Sequence, residues 1–284
     1  MANLKEIRNR ISSVSSTMQI TSAMKMVSAA KLKKAQDAIV AMRPYSEKLS
    51  DLMKSLSVST DDDKYVEKRT FKNVLVVAIS SNRGLCGAFN SNVLKEILEF
   101  KSQENLRNSN FDYVTIGKKM NDSLSKNDNV ILNESSLFDN LNYENVSTIT
   151  EKLMNLFIEK KYDHIQLVYN SFKNAATQII KSEQFLPIVQ EENINVQNSN
   201  FIFEPSQESI VNTLIPKSLK IQLFKAVRDS FASEHGARMT AMHKATDNAS
   251  ELRDELKLTY NKARQASITN EILEIVGGAE ALNN

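Results

Sequence analysis

The sequence lacks tryptophan and has one cysteine, three histidines, six glycines and four prolines in 284 residues. A single thiol excludes an internal disulfide framework, and three histidines with one cysteine provide no metal-ligand spacing. Average usage would give roughly 34 glycines and prolines together, so few turns can be built and the elements must be few and long. Sandwiches, propellers and arrays of short strands are excluded on that ground. No apolar run reaches the roughly 18 residues that a membrane-spanning helix needs. The opening Met1-Ala-Asn-Leu-Lys5 has neither the apolar centre of a signal peptide nor the acid-free Arg/Ser richness of a transit peptide, and the chain reads as cytoplasmic. Apolar side chains, at 41%, and charged ones, at 25%, are in the balance of a folded, core-forming protein rather than a disordered one.

The few breakers are unevenly placed. Residues 1–83 hold no glycine and only Pro44, while residues 217–276 hold only Gly236 and no proline, so both flanks read as long helices. The first opens on Leu4, Ile7, Ile11, Val14 and Met18 and closes on Met42, Tyr45, Leu49, Leu52 and Leu56, the 3-4 spacing of a coiled-coil seam. Between them, Ile20 to Lys31 carries small and flexible apolar residues on several faces and therefore calls for more than one neighbour. Pro44 is expected to remove a backbone hydrogen bond and kink the helix, and Ser57–Asp63 reads as its exit loop. At 1.5 Å per residue a helix over residues 3–57 would be about 80 Å long. The second flank repeats the seam as Met242, Ala245, Ala249, Leu252 and Leu256, continues through Tyr260, Ala263, Ile268, Ile272 and Ile275, and meets a stop at Gly277-Gly278. Two matching seams at opposite chain ends most simply pair antiparallel with each other; dimerisation through either seam is the alternative. Charge follows the same division. Residues 1–48 carry nine Lys/Arg against three Asp/Glu, residues 217–264 ten against six, and the rest 17 against 25. The basic flanks suit a solvated helix face, an acidic protein partner, a membrane surface or nucleic acid.

The middle reads as an α/β domain. Lys72–Ser80 is a continuous β-branched run of the kind buried in a parallel sheet, and Val93, Ile97 and Leu98 after it mark a helix. Phe111–Ile116 reads as a second strand, Val130–Leu132 as a short third, residues 145–160 as a helix with Ile149, Leu153, Leu156 and Phe157 on one face, and His164–Tyr169 as a further strand with Ala176–Leu186 as its returning partner. Strands and helices in this order predict a small Rossmann-like sheet covered by helices. The resulting fold class is α/β: a long antiparallel coiled coil of the terminal helices, over 1–60 and 210–284, with a Rossmann-like domain over 70–205.

The turn after the first strand is where such folds place nucleotides. It reads Gly84-Leu-Cys-Gly87, without the G-x-G-x-x-G fingerprint or the phosphate loop, and two glycines alone read as a structural turn or a partner contact. Cys86 at a helix start suggests a nucleophile with His164 or His235 as base, set against the plainer reading of a buried spacer. His235 and His243 lack a carboxylate pattern, and Asp254-Glu255 reads as solvated helix charge.

Three stretches carry a family resemblance. Ile7-Arg-Asn-Arg-Ile-Ser-Ser-Val14 with Gln19-Ile-Thr-Ser-Ala-Met-Lys-Met-Val-Ser-Ala-Ala-Lys-Leu32 resembles the opening helix of the gamma subunits of F-type ATP synthases. Asn82-Arg-Gly-Leu-Cys-Gly-Ala-Phe-Asn90 is similar to their Asp-Arg-Gly-Leu-Cys-Gly turn. Ser233-Glu-His-Gly-Ala-Arg-Met239, Ala245-Thr-Asp-Asn-Ala249, Tyr260 to Glu271 and Glu274 to Ala281 resemble their C-terminal signature. Two departures are Asn82, where the family usually has Asp, and Gly236, where it usually has Ala; the first bears on any charged contact at the turn, and the second is expected to loosen the helix by roughly 1 kcal/mol. The resemblance implies a non-catalytic rotor shaft. In it the paired helices pass through a hexamer of alternating alpha and beta subunits, and the α/β domain sits against the epsilon subunit and the ring of membrane c subunits. It further implies a peripheral position on the cytoplasmic side of a bacterial inner membrane, no cofactor of its own and no nucleic-acid partner. By resemblance Met24 and Lys25 face the acidic loop of beta, Arg83 and Cys86 belong to a contact at the turn, and Arg264, Gln265, Thr269 and Glu271 approach the catalytic subunits. A coiled-coil tether or nucleic-acid-binding rod with an α/β regulatory domain is the alternative, and a small enzyme using Cys86 a third.

Overall fold

A computed structural model describes residues 4–56, 64–65, 67, 69–106, 109–188 and 207–282, and within them every side chain except those of 47, 50–56, 105, 207–212 and 280–282. The expected exit loop at 57–63, and the seam side chains of Leu52 and Leu56, lie outside the described residues. In chain order the elements are α1 (Leu4–Leu56), β1 (Asn73–Ile79), α2 (Phe89–Lys101), β2 (Asn110–Ile116), α3 (Lys118–Leu124), β3 (Asn129–Asn133), α4 (Tyr143–Ile158), β4 (His164–Phe172), β5 (Gln178–Leu186) and α5 (Gln207–Leu282), with short 3-10 turns at Glu104–Leu106 and Ser135–Asp139. They form two compact units, one of Ser28–Arg238 and the other of Met1–Val27 with Met239–Asn284. The packing thus divides each long helix internally.

In the larger unit the sheet runs β3-β2-β1-β4-β5. β1 pairs in parallel with β2 and β4, β2 with β3, and β5 returns antiparallel to β4. β1 is buried on both faces because its residues alternate between two cores. Leu75, Val77 and Ile79 face a core filled by Ile149, Leu153 and Phe157 of α4 and Leu219, Leu223 and Val227 of α5. Val74, Val76 and Ala78 face Val93 and Ile97 of α2 and Met120 and Leu124 of α3. Each large side chain moved from water into these cores contributes about 1.5–3 kcal/mol, so the central strand is apolar throughout. Asn142 starts α4 by accepting a 2.8 Å hydrogen bond from Asn145 N, an N-cap of the usual kind. The Rossmann-like sheet is the one the sequence predicts. α3 was invisible there because seven residues with two buried positions show no periodicity.

In α1 the residues of this unit continue a 3-4 repeat: Ser28, Leu32, Ala35, Ile39 and Leu49 are buried, and Met42 and Ser46 half-buried. Tyr45, expected in the seam, is exposed, and the Lys217 ammonium lies 5.7 Å from its ring. α1 is helical on both sides of Pro44. α5 contains Pro216 as well, beginning nine residues before it.

In the smaller unit Leu4, Ile7, Ile11, Val14, Met18 and Thr21 of α1 are buried or half-buried in the expected repeat. Their partners on α5 depart from expectation. The inward positions are Met242, Thr246, Ala249, Arg253, Leu256, Tyr260 and Ala263, while Leu252 is 46% exposed. Met242, Ala249, Leu256, Tyr260 and Ala263 belong to both readings, and the polar Thr246 and Arg253 join them where Ala245 and Leu252 were expected. Thr246 Oγ1 donates to Thr21 Oγ1 at 2.8 Å. The Arg253 guanidinium reaches Met18 Sδ at 3.5 Å and Ser250 Oγ at 3.2 Å, so its stem covers the seam while its charge remains at the rim. Thr21 opposite Thr246 and Met18 opposite Arg253 establish that the helices run antiparallel. A groove beside this contact is lined by Asn9, Ser13, Val14, Leu252 and Leu256 among others. Beyond Ala263 every side chain through Ala279 is exposed. The helix also passes through Gly277-Gly278 and ends at Leu282, so the expected stop is not one.

Candidate functional site

Sequence and sheet order direct attention to the carboxyl ends of β1 and β4, where the strand order reverses and open α/β sheets bind ligands. Here the β1 turn is tied down from within. Ser81 N donates to Asn90 Oδ1 at 3.0 Å and Ser81 Oγ to Arg83 O at 2.7 Å. Asn90 Nδ2 donates to Ser81 Oγ at 2.9 Å and to Cys86 Sγ at 3.2 Å. Cys86 is 1% exposed and burial pushes its thiol up, opposite to what a nucleophile needs. Its hydrogen-bond neighbours are Ser81, Arg83 and Asn90, with neither His164 nor His235 among them. Cys86 is a spacer, and any surface contact at this turn falls to Arg83 and Leu85, whose side chains point outward. Leu85 sits at φ 63°, a left-handed conformation costing about 1–2 kcal/mol for a residue with a Cβ, so the surrounding hydrogen bonds hold the turn against strain. Asn82 Nδ2 donates to Ser135 O at 2.7 Å, and its Oδ1 accepts from Lys118 N at 3.0 Å. Gly117, at φ 114°, allows the next loop to cross β1, since a Cβ there would lie 2.3 Å from Ser80 O.

α5 fills the rest of the crevice. Asp229 Oδ2 accepts from Ser171 Oγ at 3.1 Å at the end of β4. Gly236 lies under the β4–β5 hairpin, where a Cβ would come 3.2 Å from Ala175 O, so the expected loosening of the helix is accompanied by closer packing. Arg238 Nη1 donates to Glu234 Oε1 at 2.6 Å, and Arg238 Nη2 to Arg83 O at 2.8 Å. Both side chains of this ion pair are buried. Burial raises the Glu234 carboxyl, and Arg238 partly offsets it. The sequence reading missed this pair, although Glu234 and Arg238 stand at the i,i+4 spacing of a helix pair.

His235 Nδ1 faces Arg238 Nη1 at 3.5 Å. A guanidinium can only donate, so Nδ1 is the acceptor and the proton sits on Nε2, which has no hydrogen-bond partner among the described residues. Burial first, then the cations of Arg238 and Lys31, pushes His235 down to about 4. The unfolded chain therefore takes up a proton near its ordinary value of about 6.5 that the folded chain resists. Stability from this group is present above pH 6.5 and lost as the pH falls toward 4. In urea unfolding of the full-length chain and of His235→Gln, the advantage of the parent should shrink from pH 7.5 to pH 5. A constant difference would place the imidazole in water. Glu234 and Asp229, both raised by burial, act with the opposite sign in both proteins and largely cancel.

The other sequence-nominated residues lie in the smaller unit, on its helices. Met24 and Lys25 are half-buried on α1, and Arg264, Gln265, Thr269 and Glu271 are exposed on α5. Ile20 and Met26 on α1, and Ile268, Ile272, Leu273, Ile275 and Val276 on α5, are large apolar side chains left in water. Scattered exposed apolar residues are ordinary, but a concentration along one helix end marks an interaction surface.

These features define a helix-presenting scaffold whose Rossmann-like crevice is filled by its own chain. The family described as ATP synthase matches residues 3–282. The ATP synthase gamma chain of Christiangramia forsetii is 65% identical over 286 residues, covering 100% of both chains. That of Flavobacterium johnsoniae is 64% identical over 288 residues, again covering 100% of both. Among solved structures, a chain in the central stalk and c-ring structure of the Tetrahymena thermophila mitochondrial ATP synthase aligns with TM-score 0.57 and 26% identity, over 80% of this chain and 99% of that one. A chain of the Euglena gracilis mitochondrial ATP synthase shares the fold, with TM-score 0.74 and 23% identity over 98% and 94%. The chain belongs to the ATP synthase gamma-chain family, the non-catalytic central-stalk subunits of F-type ATP synthases. It functions as a rotor shaft, which sets aside the nucleic-acid rod and the Cys86 enzyme, and its setting is an ATP synthase complex.

Proposed function

We propose that this shaft couples proton flow through a ring of c subunits to ATP synthesis or hydrolysis in a hexamer of alpha and beta subunits, with an epsilon subunit against the α/β domain. The observation that carries the hexamer contact is the exposed run of α5 beyond Ala263, with the apolar side chains of Ile268, Ile272, Leu273, Ile275 and Val276 in water. Such a surface is stable in a complex only if a partner sleeve covers it. Arg264, Gln265, Thr269 and Glu271 are interleaved on the same run and supply the polar contacts that give a rotating surface preferred stopping angles. Met24 and Lys25 contact the beta subunits from α1, and Arg83 contacts a partner subunit at the β1 turn, with Cys86 bracing that turn from behind. The working division is a coiled coil of 1–60 with 210–284 and a Rossmann-like domain of 70–205. Among the described residues no helix is long and apolar enough to cross a membrane. In this reading the chain is peripheral to the cytoplasmic side of a bacterial inner membrane and held there by its partners.

The test is reconstitution. The purified chain should hydrolyse no ATP, should comigrate with an alpha and beta hexamer on gel filtration, and should change that hexamer's turnover. Comigration without any change in turnover would remove the coupling role. Hydrolysis by the chain alone that survives Cys86→Ser would contradict the non-catalytic assignment.

A further inference from the structure

We propose that Asn82 is a positioning residue whose carboxamide clips the loops after β1, β2 and β3 into one rigid edge and so fixes the outward stance of Arg83 and Leu85. The proposal rests on the reading of that tip as a partner contact. The orientation of the carboxamide is forced by its partners. Lys118 N–H, 3.0 Å away, can only donate, and the Ser135 carbonyl, 2.7 Å away, can only accept. Oδ1 therefore faces the β2 loop and Nδ2 the β3 loop. The two ties are not equally redundant. The β2 loop is also held by Lys119 N donating to Ser81 O at 3.0 Å and Met120 N donating to Ser80 Oγ at 3.0 Å. Among the described hydrogen bonds, the β3 loop is joined to the β1 turn by Asn82 alone. Ser135 opens the 3-10 turn Ser135–Asp139, in which Leu137 is buried and Phe138 stacks on Phe231 at 5.9 Å. The clip therefore links the strained Leu85 turn to a packed anchor.

An aspartate has the same shape but no donor. It would keep the bond from Lys118 N and set a carboxylate oxygen against the Ser135 carbonyl oxygen, leaving that acceptor unpaired and repelled. The experiment is backbone amide exchange by NMR on the deuterated full-length chain. In Asn82→Asp, the amides of Leu137 to Asp139 should exchange about tenfold faster while that of Lys118 is unchanged; in Asn82→Ala both should accelerate. Wild-type exchange at Leu137 to Asp139 in Asn82→Asp would overturn the clip. In the reconstituted complex, Asn82→Ala and Arg83→Ala should both lower proton pumping per ATP hydrolysed. Faster exchange in the free chain with that ratio unchanged in both variants would support the clip and overturn the partner reading of the tip.

Discussion

Arg238→Met will destabilise the full-length chain by about 3–5 kcal/mol, the cost of removing one partner from a buried ion pair. Glu234 remains enclosed, without the guanidinium that faces it at 2.6 Å, and the carbonyl of Arg83 loses its 2.8 Å donor. The loss exceeds the worth of the pair itself, because an uncompensated carboxylate must either take up a proton or open the structure to water. Substituting both members, Glu234→Met with Arg238→Met, should recover much of the stability, leaving mainly the orphaned carbonyl. Urea unfolding of the parent, the single and the double variant measures this. A single variant within about 1 kcal/mol of the parent would mean that water already reaches the pair.

The second large effect concerns the seam of the smaller unit. Ala249 is 9% exposed, and Ala249→Asp places a carboxylate between α1 and α5, which costs several kcal/mol unless the helices part. Leu252→Asp, three residues on, changes a side chain already half in water and should cost about 1 kcal/mol. Helical content and amide protection from exchange over 242–263 should collapse in the first variant and persist in the second. In a reconstituted complex, Ala249→Asp should reduce ATP-driven proton pumping more than ATP hydrolysis, since a softened shaft still turns but transmits less work. Equal disruption by the two variants would restore Leu252 to the seam, and an unchanged pumping-to-hydrolysis ratio in Ala249→Asp would show that stiffness at this level does not limit coupling.

The contrast between those positions shows what a sequence discloses. Apolar repeats were legible where they were apolar: Leu4 to Met18, the β1 run, and the α4 stripe of Ile149, Leu153 and Phe157 lie where their spacing puts them. On α5 Leu252 was misplaced in the seam, because Thr246 and Arg253 contribute a hydroxyl and an aliphatic stem there, which no hydropathy pattern counts. Tyr45 was misread for the converse reason, an aromatic residue held outward beside Lys217. At the β1 turn the glycines announced a turn but not what holds it. Asn82 and Arg238 tie down that turn through partners 36 to 155 residues away, and contacts at such separations leave no local trace. The exposed apolar end of α5 was legible as composition, but its exposure is seen only in the packing.

The filled crevice has one more consequence. In other sheets of this topology the switch point holds a diffusible ligand, and occupancy follows concentration and affinity. Here the occupant, residues 229–238 of α5, is covalently part of the chain. Its effective concentration is fixed by the chain itself, of the order of millimolar or higher for short tethers, and no cellular metabolite can dilute it. Binding energy that a dehydrogenase would use to select a cofactor is thereby converted into a permanent mechanical joint.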